Sequence, residues 1–314
     1  MSATTGKTPR AEAHLTSAAG TPARHVLAPD TAARLLVLAA AVLFSTGGAV
    51  IKSTALNAWQ VAGFRSAIAA IALAVLLPPA RRAWKPRHLA VGAAYASTLI
   101  LFVSATKLTT AANAIFLQST APLYILLLGP WLLSERVQAR DLLFLAVLAV
   151  GGAAFFVGEA RPSATAPSPF AGDVLALASG FAWAITVTGL RWMGRTDGHD
   201  TLITIVAGNT LAFVVCLPFA WPVAGAGTGD WVALLWLGVF QIGVAYVCLT
   251  RGVQRITALE TSLLLLAEPV LNPVWAWAAH GERPSAWGLA GGAVILIATA
   301  VRTLSVSLRR PSRP

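Results

Sequence analysis

Ten stretches of this chain run for roughly twenty residues each with few or no charges, the length an α-helix needs to cross the hydrocarbon core of a bilayer. They cover residues 34–53, 56–77, 88–107, 110–133, 141–158, 171–193, 200–221, 231–250, 257–280 and 285–304. Composition excludes a water-soluble globule of the same length. Apolar residues make up 57% of the 314 and charged residues only 11%, against about 25% charged in a typical soluble domain. So few charges cannot clothe a core of this size in water, and lipid is the solvent that fits. The expected fold class is an all-α membrane protein with ten transmembrane helices.

The net charge of +11 is not that of a nucleic-acid binder, because the positive residues sit in short connectors and tails beside the apolar runs. With both termini placed in the cytoplasm, 18 of the 23 Lys and Arg fall on the inner side. Lys52, Lys107, Arg161 and Arg283 fall outside, and Arg65 lies within a span. That asymmetry sets the orientation by the positive-inside rule and supports an even number of helices. The expected location is a cell inner membrane, multi-pass, with both termini cytoplasmic. Residues 1–33, rich in Ala, Thr, Ser and Pro, read as a disordered tail. The first apolar run reads as a retained helix, being long enough to span and leading straight into a second. Trp59, Trp84, Trp131, Trp192, Trp221, Trp231 and Trp287 lie near span ends, where amphipathic rings favour the interface, while Trp183 lies mid-span. Cys216 and Cys248 both fall in apolar runs and read as small buried hydrophobes.

The chain repeats itself. Residues 110–147 align without a gap on 257–294, matching Thr110 with Thr257, Pro122 with Pro269, Glu135 with Glu282 and Arg136 with Arg283. A weaker match pairs Phe44 with Trp183 and Lys52 with Arg191. Each copy holds five spans, an odd number, so the second enters the membrane from the opposite side. The result is two inverted five-helix repeats, an architecture that recurs in carriers because two similar halves can rock about a central site. The expected division is a tail at 1–33, a first repeat at 34–158, an external linker at 159–170, a second repeat at 171–304 and a tail at 305–314. The segments LLLLAEPVLNPVWAWAAHGERPS (263–285), its weaker copy LQSTAPLYILLLGPWLLSERVQ (117–138) and LFSTGGAVIK (43–52) resemble the drug/metabolite transporter superfamily in its ten-helix EamA branch. The first repeat departs from the pattern, with Ala121 where the second has Glu268 and Ser134 where it has Gly281. The resemblance implies a carrier of amino acids, nucleobases, sugars or other metabolites, often outward, and does not choose among them.

Ionisable groups deep in a span cost roughly 2.5–3.5 kcal/mol each on insertion scales, so they are functional candidates by default. Arg65 near the middle of the second run and Glu268 near the middle of the ninth have opposite sign and similar depth. They are expected either to face a central cavity, Glu268 as a proton or amine site and Arg65 as its partner or a carboxylate anchor, or to form a structural ion pair. Asn272, four residues after Glu268, shares its helix face. Asn113, Gln241 and Trp183 complete the candidate substrate- or ion-binding set. Gln118, Tyr246 and other in-span polar groups read as hydrogen bonds between helices, worth about 0.6 kcal/mol on average. Pro269 and Pro273 each free a carbonyl one turn earlier, a break tolerated where a neighbour, water or ligand satisfies the backbone. Gly47-Gly48, Gly151-Gly152, Gly288 and Gly291-Gly292 read as close helix contacts. Lys52, Lys107 and the Glu135-Arg136 and Glu282-Arg283 pairs lie at helix ends, where snorkelling accounts for them and latching of the halves is the alternative.

An enzyme is not expected. The chain has no His-Glu-x-x-His, no metal-ligand spacing and no serine elbow. Gly227-Thr228-Gly229-Asp230 matches an aspartyl-protease loop only in outline, and no second in-span aspartate is expected to complete a dyad. No Gly-x-x-x-x-Gly-Lys loop provides for ATP drive. The function expected is a secondary transporter, and specifically an exporter of small metabolites such as amino acids, working by alternating access. Proton coupling is left open, and a passive channel or scramblase is the alternative. No cofactor or metal is expected; the partners are a small-molecule substrate and the lipid bilayer, with no nucleic acid, and the oligomeric state is not fixed by the sequence.

Overall fold

The computed structural model describes residues 29–132, 139–157, 162–193 and 200–308. Glu135 and Arg136, Trp131 as a side chain, and most of the terminal tails lie outside the described residues. The described chain folds into helices α1 (Pro29–Ser45, continued by Gly47–Lys52), α2 (Ala58–Leu76), α3 (Pro86–Leu108) and α4 (Ala111–Gln118, then Ala121–Leu132). These are followed by α5 (Ala139–Ala153), α6 (Pro169–Met193), α7 (Asp200–Ala220) and α8 (Thr228–Gly252). The chain then forms α9 (Ala258–Leu265, then Ala267–His280) and α10 (Ala286–Leu308). Nine stretches among the described residues are long and apolar enough to cross a bilayer, and the apolar part of α5, Asp141–Phe156, is shorter.

Local chemistry fixes the helix starts. Asn57 and Gln60 form a reciprocal capping box at the head of α2, each side chain taking the other's backbone N–H. Thr110 caps α4 by accepting from Asn113 N, and its repeat mate Thr257 caps α9 by accepting from Glu260 N. The sequence reads α4 and α9 as one span each, with a proline break expected in α9, and the structure interrupts both. Each breaks at the same repeat position, after Gln118 in α4 and after Leu265 in α9. The prolines explain the restart. Pro122 and Pro269 stand in the first turn of each second half, where an N–H has no intrahelical partner to lose. α1 also breaks, at Thr46 before Gly47, and α8 widens to a π-helix over Trp236–Val244.

The packing obeys the repeat. Adding five to each helix number maps one contact on to another: α1 on α8 becomes α6 on α3, α1 on α9 becomes α6 on α4, and α2 on α8 becomes α7 on α3. The α2–α7 and α5–α10 pairs map on to themselves. Two four-helix groups follow, one of α1, α2, α8 and α9, the other of α6, α7, α3 and α4, joined along α2 and α7. The α5–α10 crossing depends on glycine, since a Cβ on Gly151 would lie 3.2 Å from the Gly291 carbonyl oxygen. Below, the end of the bundle where α1 begins is called proximal and the other distal.

Candidate functional site

The irregular points of α1, α4, α8 and α9 converge. Between the two groups lies a cavity of about 320 Å³, at the lower end of the range for small-molecule sites. Interrupted helices are tolerated at membrane depth where the freed backbone lines such a space. Four of the six residues singled out in the sequence line it: Arg65, Glu268, Trp183 and Gln241. Phe44 and Trp183, matched by the weaker repeat alignment, both lie on its wall.

Arg65 is 2% exposed. Its Nη2 donates to the Leu99 carbonyl over a long 3.5 Å, and its Nε has no partner. The π-helix of α8 presses on this residue's backbone, because a Cβ on Gly238 would lie 2.9 Å from the Arg65 carbonyl oxygen. Glu268 stands in the first turn of the second half of α9, where the positive end of the helix favours a carboxylate. The structural Arg65–Glu268 ion pair, one of the two alternatives, is not formed. α2 packs on α3, α7 and α8, while α9 packs on α1, α4 and α10. The two charges therefore face one cavity from separate walls.

Gln241 occupies the π segment, donates to the Phe44 carbonyl at 3.4 Å and keeps its own amide oxygen unpartnered. Gln118, at the break in α4, donates to Ser179 Oγ at 2.7 Å, and Ser179 donates to the Thr98 carbonyl at 3.2 Å. An aromatic wall completes the site. Phe44 meets Tyr246 edge-on at 5.4 Å, and Tyr95 lies 6.5 Å from Tyr246 and 6.3 Å from Trp183. Cations, anions and flat apolar groups thus all find a complementary surface here.

Asn272 and Asn113 do not line the cavity. Asn272 shares the face of Glu268 but lies one turn further distal, where α1 closes on α9. It is 1% exposed, and a Cβ on Gly48 would lie 3.0 Å from its amide nitrogen. Asn113 sits in the first turn of α4 and donates to both oxygens of Asp173, at 3.1 and 3.2 Å. Asp173 corrects the sequence reading, which expects no second in-span aspartate. It is 2% exposed on α6 and also accepts from Thr109 Oγ1 at 2.6 Å. It lies near the start of α6 rather than at mid-span, so the depth rule that selects Glu268 passes over it. Asp230 accepts instead from Ala55 N and Gly227 N, so the two aspartates serve separate hydrogen-bond sets rather than a dyad.

Three of the helix-end charges, Lys52, Lys107 and Glu282, are held by the protein rather than snorkelling. Lys52 and Glu282 are each 3% exposed in their side chains and pair at 3.1 Å. Gly281 makes this possible by ending α9 in the left-handed conformation at φ 63°. Lys107 donates to Thr54 O at 2.7 Å and to Thr54 Oγ1 at 2.9 Å. Tyr95, Thr98, Ser119, Tyr246 and Ser262 are cavity residues that sequence reasoning did not select. Polarity alone does not distinguish a lining residue from one bonded across a helix contact.

Comparison with known proteins agrees with this architecture. The chain is 28% identical over 272 residues to the pseudopaline exporter of Pseudomonas aeruginosa, covering 84% of this chain and 93% of that one. It is 25% identical over 250 residues to the aromatic amino acid exporter of Ancylobacter novellus, covering 78% and 85%. A crystal structure superposes with a TM-score of 0.58 at 23% identity, covering 89% of this chain and 99% of that one, which shows the shared fold. The profile of the EamA-like transporter family matches residues 31–158 and again 170–304. Matched over both halves, this chain belongs to the EamA-like transporter family.

Proposed function

We propose that the protein is a secondary exporter of small zwitterionic metabolites, amino acids among them, that exposes the cavity to each side of the membrane in turn. The observation that carries this is one cavity between the two helix groups faced by two opposite charges, Arg65 and Glu268, that do not satisfy each other. Buried charges demand partners. A ligand with a carboxylate and an ammonium supplies both, the carboxylate at the guanidinium and the ammonium at Glu268, with its side chain against Tyr95, Trp183 and Tyr246. Two of the relatives are named as exporters, which supports outward transport. Rocking of the α1-α2-α8-α9 group against the α3-α4-α6-α7 group along α2 and α7 is the motion the repeat suggests. The proximal end is assigned to the cytoplasm of an inner membrane from the distribution of Lys and Arg. Between substrates Glu268 is the group available to carry a proton.

Thermal stabilisation of the purified protein by three matched compounds tests the reading: an amino acid, the corresponding amine without carboxylate, and the acid without amine. Across a panel of side chains, at least one amino acid should raise the melting temperature well beyond both of its single-charge analogues. Equal stabilisation by a single-charge analogue would sink the zwitterion reading.

A further inference from the structure

Among the described residues the two ends of the bundle are held differently. At the proximal end two ion pairs join helices of one group. Arg34 meets Glu260 at 2.8 Å between α1 and α9, and Arg87 meets Asp200 at 2.6 Å between α3 and α7. At the distal end the Lys52–Glu282 pair also lies within one group, between α1 and the end of α9, but each partner reaches across to the other group. Glu282, just past α9, accepts from Ala111 N at the head of α4 at 2.8 Å. Lys52, at the end of α1, donates to the Thr109 carbonyl at 2.8 Å and to the Thr165 carbonyl, in the connectors before α4 and α6. The Lys52–Glu282 pair locks these contacts together. Gly48 lets α1 close on α4 just beneath, since a Cβ there would lie 2.9 Å from Ala111 Cβ. The cavity lies beneath these contacts and reaches towards both ends, with Leu249 and Ser262 on its proximal side and their repeat mates Phe102 and Ile115 on its distal side.

We infer that Lys52 and Glu282 form a distal gate: a buried clasp that holds the distal end shut and must break for substrate to leave on the distal side. The chemistry suits a reversible latch. While the end is closed, the ammonium and carboxylate satisfy Ala111 N and the Thr109 and Thr165 carbonyls away from water. When the end opens, water can solvate all of them. Without the clasp, the closed state strands those backbone groups and the open state does not, so the balance moves towards distal opening.

The inference rests on the alternating-access reading, and its test needs no substrate. In full-length protein with Cys216→Ala and Cys248→Ser, Ser119→Cys reports cavity exposure to a small membrane-impermeant thiol reagent added from either face. The parent and Lys52→Arg, which keeps the charge, should react only slowly from the distal face. Glu282→Gln and the paired apolar variant Lys52→Met/Glu282→Leu, which leaves no orphan charge, should each react from the distal face about tenfold faster or more. The paired variant should add little to the single one, as expected of residues acting as a unit. Distal labelling within about twofold of the parent in either folded variant overturns the gate. So does loss of the folded protein in both, which would mark the pair as a structural strut. Faster distal labelling without substrate counterflow in the parent would fault the transport reading alone, and counterflow with unchanged labelling would fault the gate alone.

Discussion

Replacing Arg65 with methionine should make the substrate-free protein more stable and the transporter inactive. Arg65 is 2% exposed, its Nε is unpartnered, and its one hydrogen bond to protein is the 3.5 Å contact with the Leu99 carbonyl. Apolar replacement of buried ionic groups is often neutral or stabilising, by about 1–4 kcal/mol. With so little to lose at Arg65, the change should fall on the stabilising side and raise the melting temperature in detergent by a few degrees. Methionine approaches the reach of the arginine stem and limits the void left against α8. Binding should suffer in the opposite sense. A hydrogen bond to a charged group is worth about 1.5–3 kcal/mol, or about tenfold to a hundredfold and more in affinity. The assay is a melting curve for parent and variant, each with and without the stabilising amino acid, beside uptake into proteoliposomes. A variant that melts lower and keeps transport would show that the guanidinium holds the fold and not the substrate.

Glu268→Gln should fold normally and change both uptake and its pH dependence; unchanged uptake across pH would remove Glu268 from the mechanism. Asp173→Asn should cost about 1–3 kcal/mol of stability through its Thr109 and Asn113 hydrogen bonds. Asp173 lies away from the cavity lining, so substrate should still stabilise that variant by the same increment, and a lost ligand response would mean the network reaches the site. Gly48→Ala should overpack the meeting of α1 with α4 and α9 at a cost of about 1–3 kcal/mol. A melting temperature equal to the parent's would show that α1 has room there.

Most of the scaffold is legible in the sequence because lipid imposes a single rule on every span. Runs of apolar residues, the positive-charge asymmetry and the Pro122/Pro269 register all lead to helices in two related halves. The Thr110 and Thr257 caps show that the repeat extends to individual hydrogen bonds. What the sequence hides is where a helix stops within an apolar run. The Thr46 break in α1 and the π-helix around Gln241 have no proline to announce them, yet they shape the cavity. Helix periodicity places Asn272 on the face of Glu268 correctly but is blind to depth, and one turn decides between cavity and closed packing. The charge rule selects Arg65 and Glu268, both of which line the cavity, and cannot say that they face it unpaired. Lys52 and Glu282 look like interface charges until Gly281 turns the chain and buries them together.

Counterflow in proteoliposomes tests the central claim most directly. Vesicles preloaded with a stabilising amino acid should take up the labelled compound faster than empty ones and saturate with concentration, and Arg65→Met and Glu268→Gln should each abolish the stimulation. Non-saturating uptake, indifferent to preloading and to both substitutions, would contradict a carrier built on this cavity.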